Sequence, residues 1–106
     1  MRADQGFVLH PGAGQDIAEI WGFIAKDNSL AAGRVREEIL SAIRNLVQFP
    51  HQGHRRPDLT TRPLRFHTVR EYVIAYAPDR VPLLVVAVLH GRRSPRVLAA
   101  ILAGRR

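Results

Sequence analysis

Apolar and polar positions recur along this chain with two periods, and the change from one to the other divides it. Near the N-terminus, Gly6-Phe-Val-Leu-His10 is a short apolar run closed by Pro11-Gly12, which predicts a first strand over residues 6–10. Ile17, Ile20, Trp21 and Ile24 then fall at i, i+3, i+4 and i+7, the stripe of an amphipathic helix with Trp21 in its core face. Two starts for this helix compete. Pro11 suits a first turn, where a missing N–H costs nothing; Asp16 with Glu19 offers a shorter start as a capping box. Asp27-Asn28-Ser29 breaks the pattern, and Ser29 is placed to cap a second helix over residues 30–48. Ala32, Val35, Ile39, Ala42, Ile43 and Leu46 line one side of it, while Arg34 and Glu38 on the other are spaced to pair. So short a break makes the two helices antiparallel neighbours. Phe49-Pro50 ends the second, because Pro cannot donate to the helix ladder.

After a polar, turn-rich loop over residues 51–62, the period shortens to two. Leu64, Phe66 and Thr68 alternate with Arg65, His67 and Val69; residues 72–77 follow; residues 81–90 are nearly all apolar. Breaks at Arg70-Glu71 and Pro78-Asp79-Arg80 suit hairpins, so these strands should form an antiparallel meander, with residues 83–89 central and buried on both faces. Ser94-Pro95 reads as cap and first turn of a short tail helix carrying Val97, Leu98, Ile101 and Leu102, with Gly104 as its stop. The expected fold is α+β, with order β-α-α-β-β-β and a short C-terminal helix. The helical hairpin packs on one face of a small antiparallel sheet, and the other face is left partly open.

Length and composition narrow the class. A chain of 106 residues suits one domain, spanning 1–106, with a core that needs neither disulfide nor metal. With no Cys, disulfide frameworks, thiolate catalysis and Cys-type zinc sites are excluded. His51 and His54 are three apart, but they lie in a loop where no paired Asp, Glu or Cys completes a metal site, and no cofactor motif is present. No apolar run is long enough to span a membrane and no signal-peptide core opens the chain, so a cytoplasmic location is expected.

The formal charge of +7 is unevenly placed. Residues 1–50 carry five cations and six anions, whereas residues 51–106 carry eleven Arg against Asp58, Glu71 and Asp79. A basic half this pronounced suits an anionic partner. Arg65 and His67 share one face of a strand, His90-Gly91-Arg92-Arg93 ends the central strand, and Arg96 opens the tail helix. A meander would bring these groups together near one end of the sheet, as a surface for phosphate or carboxylate. Tyr72 and Tyr76 add either stacking surface or core.

Six pieces of this sequence, in this order, closely resemble the ParE toxins of the RelE/ParE superfamily. They are P-x-A-x-x-D-I-x-x-I-W-x-F-I-A (11–25), A-A-x-R (31–34), F-P-x-x-G (49–53), P-L-R (63–65), Y-V-I-A-Y (72–76) and V-L-H-G-R-R (88–93). The resemblance implies a toxin of a type II toxin–antitoxin system that poisons DNA gyrase. Its antitoxin, ParD-like, would wrap the toxin with an acidic, partly apolar C-terminal segment. A ribbon–helix–helix part of that antitoxin would contact operator DNA, so the toxin reaches DNA only through it. Ile17, Ile20, Trp21, Ile24, Tyr72 and Tyr76 are the candidates for antitoxin contact, and Arg65, His90, Arg92, Arg93 and Arg96 for target contact.

RelE-type members of the superfamily instead cut mRNA on the ribosome, which requires groups to take and give protons beside cations. The tail after Arg93, where that branch usually places a Tyr or His, holds no Tyr, His or carboxylate. For that chemistry only His67 and His90 remain, with Arg65 and Arg92 as stabilising cations. A third alternative is a basic nucleic-acid-binding module, but the aromatic residues do not interleave with the arginines as a stacking platform would require.

Overall fold

A computed structural model of the chain describes residues 5–106. Its elements are β1 (Phe7–Leu9), α1 (Pro11–Ala25), α2 (Ser29–Gln48), β2 (Arg65–Val69), β3 (Tyr72–Ala77), β4 (Leu83–His90) and α3 (Pro95–Ala103). This is the expected order. The sheet runs β1-β4-β3-β2. β2, β3 and β4 form the antiparallel meander, but β1 lies parallel to β4, so the sheet is mixed rather than antiparallel throughout.

Local chemistry explains the helix ends and corrects two expected caps. The longer start of α1 is the one adopted: Pro11 is in the first turn and the His10 ring nitrogen accepts from Gly12 N–H at 2.9 Å. Asp16 caps nothing; it is buried in the interior of α1. The α2 cap is Asn28, one residue before Ser29, with its side-chain oxygen accepting from Ala31 N–H. An Asn amide oxygen reaches the N3 N–H as readily as a Ser hydroxyl does. Glu38 does not pair with Arg34; it takes both forks of Arg70 at 2.7 and 2.8 Å. A bidentate guanidinium outcompetes a helical neighbour. Arg70 occupies the β2–β3 turn with φ 55°, an unusual conformation for a side chain with a Cβ.

Two apolar layers flank the sheet. The helical hairpin covers one face through Ile17, Val35, Ile39, Ile43 and Leu46, which pack on Tyr72, Ile74, Tyr76, Val85 and Val88. The opposite face is closed rather than open. Leu98 and Leu102 of α3, together with Leu59 and Leu64 of the preceding loop, cover Phe66, Ala75, Val86, Ala87 and Leu89. The sequence pattern gave α3 an apolar stripe, and burial of that stripe needs this face. In β4 the register skips at Val86, because Ala75 faces Ala87 while Tyr76 faces Val85. Val86 and Ala87 therefore both turn toward α3, as a β-bulge requires.

The bulge has a partner far away in sequence. Since β1 spans only Leu83 to Val85 of β4, the rest of that edge has no strand beside it among the described residues. Asp16 takes over: Val88 N–H donates to its Oδ2 at 2.9 Å. Arg105, just past α3, grips both Asp16 oxygens and also donates to Val86 C=O at 3.2 Å. Arg62 in turn donates to the carbonyls of Leu102 and Arg105. One buried carboxylate thus ties α1, the β4 edge and the chain's tail together.

Candidate functional site

His90 is the last residue of β4 and stands opposite Tyr72, with the two rings edge to face at 5.6 Å. Both His90 nitrogens are engaged. Its Nδ1 accepts from Arg92 N–H at 3.1 Å, which leaves the proton of the neutral ring on Nε2, facing Glu71 at 3.2 Å. Arg92, Arg93 and Arg96 follow, exposed and with no carboxylate partner among the described residues. The three arginines, with His90 beside them, form one cationic corner at the C-terminal end of β4.

Arg65 and His67 do not join them. Arg65 pairs with Tyr76 and His67 with Ile74, whereas His90 pairs with Tyr72. Four residues along the sheet separate Arg65 from His90, about 13 Å at the usual strand rise. The antiparallel reversal places the start of β2 at the opposite end from the finish of β4. His67 lies midway, on the edge strand. Burial, and then the charge of nearby His54, hold its imidazole below the usual value of 6.5.

Arg65 is instead part of a loop clasp. Its Nη1 donates to Gly53 C=O at 2.8 Å. Tyr76, fully buried, donates its hydroxyl proton to Pro50 C=O at 2.7 Å and accepts from Gly53 N–H at 2.9 Å. A Cβ on Gly53 would lie 2.7 Å from that hydroxyl and 2.8 Å from Phe66 C=O. The F-P-x-x-G, P-L-R and Y-V-I-A-Y pieces are therefore one structural unit. Phe49 ends α2, Pro50 and Gly53 meet Tyr76, and Arg65 holds the loop from the other side.

Two grooves flank α1, and they divide the remaining candidates. One, of about 670 Å³, lies between α1, α2 and β1, and is lined by Phe7, Leu9, Ile17, Trp21, Leu40 and Arg36 among others. The other, of about 460 Å³, lies between α1 and the strandless half of the β4 edge. Ile20, Phe23, Ile24 and Tyr72 give it apolar walls, and Glu19, Glu71, His90 and Arg93 also line it. Trp21 is 41% exposed and so is not the core residue its spacing suggested. It falls at the margin of the helix stripe, where the three-residue β1 provides no further wall. Ile20 and Ile24 are half-buried, Ile17 and Tyr72 are buried with groove-lining edges, and Tyr76 touches neither groove. Phe23, 72% exposed, was missed; its place off the apolar stripe was the available signal.

Among the described residues, no helix is long and apolar enough to cross a membrane. No curated protein matches the sequence. Residues 7–95 match the family model described as ParE toxin of type II toxin-antitoxin system, parDE. That span runs from β1 to the first residue of α3, takes in all six sequence pieces, and includes His90, Arg92 and Arg93 but not Arg96. The chain belongs to the ParE toxin family, and it is a toxin of a type II toxin–antitoxin system.

Proposed function

We propose that this toxin arrests growth by poisoning DNA gyrase without cutting RNA, using the cationic corner of His90, Arg92, Arg93 and Arg96. The observation that carries this reading is the state of His90. A general acid or base needs a nitrogen free to face the substrate. Here Nδ1 is filled by the Arg92 amide and Nε2 by Glu71, so the imidazole shapes the turn that presents the arginines. The sequence beyond Arg93 supplies no Tyr, His or carboxylate to replace it. Guanidiniums in the turn after β4 and at the start of α3, with no carboxylate partner among the described residues, suit binding to an anionic surface, either of a protein or of DNA held by one.

The antitoxin, in the same reading, covers the two grooves beside α1. Trp21, Ile20, Ile24 and Phe23 offer apolar anchors, and Arg36 in the first groove suits the acidic segment of a ParD-like tail. Operator DNA is contacted by the antitoxin.

The test uses purified full-length toxin with gyrase, plasmid and ATP, in parallel with ribosomes translating a defined mRNA. Supercoiling should stop or cleaved DNA accumulate, and the mRNA should stay intact. Replacing both Arg92 and Arg93 by Ala should relieve growth arrest while antitoxin binding changes far less, since its anchors are apolar. Specific mRNA cuts with undisturbed gyrase would overturn the proposal.

A further inference from the structure

At the end of the sheet away from His90, a small cavity of about 160 Å³ opens between the 51–55 loop, the entry to β2 and the turn after β3. It is lined by His51, Arg55, Leu64, Arg65, Pro78 and Asp79, with Pro63 beside them. Its size is well below that of pockets for drug-sized molecules, so it suits a single small group.

The charge in its wall is oriented but not neutralised. Arg65 donates to Gly53 C=O at 2.8 Å and, more weakly, to His51 C=O at 3.4 Å. Carbonyl oxygens fix the direction of a guanidinium without cancelling its charge. Arg55 is exposed, and neither it nor Arg65 has a carboxylate partner among the described residues. Among the described residues Asp79 is the one acid in the lining, and it lies 3.5 Å from His51 Nε2. Two guanidiniums thus outnumber one carboxylate. Two prolines and Leu64 displace water from part of the wall, which strengthens the field of the cations.

We infer that this cavity is an anion site for one phosphate group, held between the forks of Arg55 and Arg65. A planar fork presents two N–H groups to two oxygens, and two forks suit a tetrahedral oxyanion. The phosphate is either free or part of a nucleic-acid backbone. This site is separate from the cationic corner at the end of β4 and stands whether or not gyrase is the target.

The experiment is an amide and arginine side-chain NMR titration of the full chain with inorganic phosphate, at ionic strength held constant by chloride. A second arm uses a short DNA duplex. Saturable shifts confined to His51, Arg55, Arg65 and their neighbours are expected. Arg55→Gln, which removes an exposed side chain with no carboxylate partner among the described residues, should weaken phosphate about tenfold, as expected for one charge-assisted contact. Arg93→Gln should leave the phosphate titration unchanged. If phosphate competes with the duplex for these signals, the source is a backbone; if the duplex leaves them unmoved, it is a free phosphate. Shifts that chloride reproduces, shifts spread equally over Arg92, Arg93 and Arg96, or an Arg55→Gln titration like that of the unmodified chain would each overturn the inference.

Discussion

Asp16→Ala is the most informative single change, because this carboxylate is where three distant parts of the chain meet. Asp16 is 8% exposed and accepts from Val88 N–H and from both ends of the Arg105 guanidinium. The pairing raises the pKa of Arg105, chiefly through the Asp16 hydrogen bonds, so the cation is charged at any working pH. Removing the carboxylate strands that cation and leaves the Val88 N–H without an acceptor on a strandless edge. Breaking one side of a buried pair costs about 3–5 kcal/mol, and the slight exposure of Arg105 favours the lower end. At about 3 kcal/mol, a chain of this size loses roughly 12 °C or more in Tm.

Urea unfolding followed by circular dichroism measures the total, and hydrogen exchange at the Val88 amide locates it. Asp16→Asn keeps an acceptor for Val88 but leaves the Arg105 cation unpaired, so it should recover only the smaller part of the loss. Asp16→Leu combined with Arg105→Met should be less damaging than either change alone, because no buried charge is then left unpaired. An Asp16→Ala loss below about 1 kcal/mol, or a double change costing the sum of its parts, would refute the reasoning.

Three further outcomes follow from individual contacts. Tyr76→Phe removes the hydroxyl joining Pro50 C=O to Gly53 N–H and should cost about 1–3 kcal/mol in urea unfolding; an unchanged midpoint would mean the loop clasp contributes nothing. Trp21 is the single Trp and is 41% exposed, so its emission should shift to the blue when an acidic antitoxin-tail peptide binds; saturable binding without a shift would place the tail elsewhere. His67 is held below 6.5 in the folded chain by burial and by His54. Below that pH the unfolded chain binds more protons at this position, so its contribution destabilises as pH falls from about 6.5 through the folded value, then levels off. His67→Gln should remove that part of the pH dependence, and an identical profile would sink the assignment.

The helices and the meander were legible because their signals are local. Ile17, Ile20 and Ile24 announce α1 within two turns, and the breaks at residues 70–71 and 78–80 punctuate β2, β3 and β4. The partner of β1 was not legible: a three-residue strand carries no mark of direction, and its parallel pairing with β4 spans most of the chain. The covered second face is the same kind of failure, since α3 and the 57–64 loop show apolar positions but not where those positions are buried. The capping-box alternative at Asp16 failed for a more instructive reason. Asp16 lies four residues before Ile20 and one before Ile17, within the apolar stripe, and a carboxylate placed there requires a buried partner. That partner, Arg105, is 89 residues away.

The candidate site divides along the same line, and the charge surplus shows why. Sequence counts every arginine alike, but their hydrogen-bond partners do not. Arg56, Arg70 and Arg105 are held by Asp58, Glu38 and Asp16, while Arg62 and Arg65 are held by backbone carbonyls. These five fix loops and elements, so changing them alters stability first. Arg92, Arg93 and Arg96, with Arg55 at the other end of the sheet, have no such duty among the described residues, so changing them alters binding first. Arg65 joins the two classes: its carbonyl contacts hold the loop, yet they leave its charge unmatched. An arginine of that kind should lose stability as Arg65→Ala, but as Arg65→Lys should keep much of its charge while losing the paired geometry of the fork. The lysine variant therefore separates the loop clasp from the anion site.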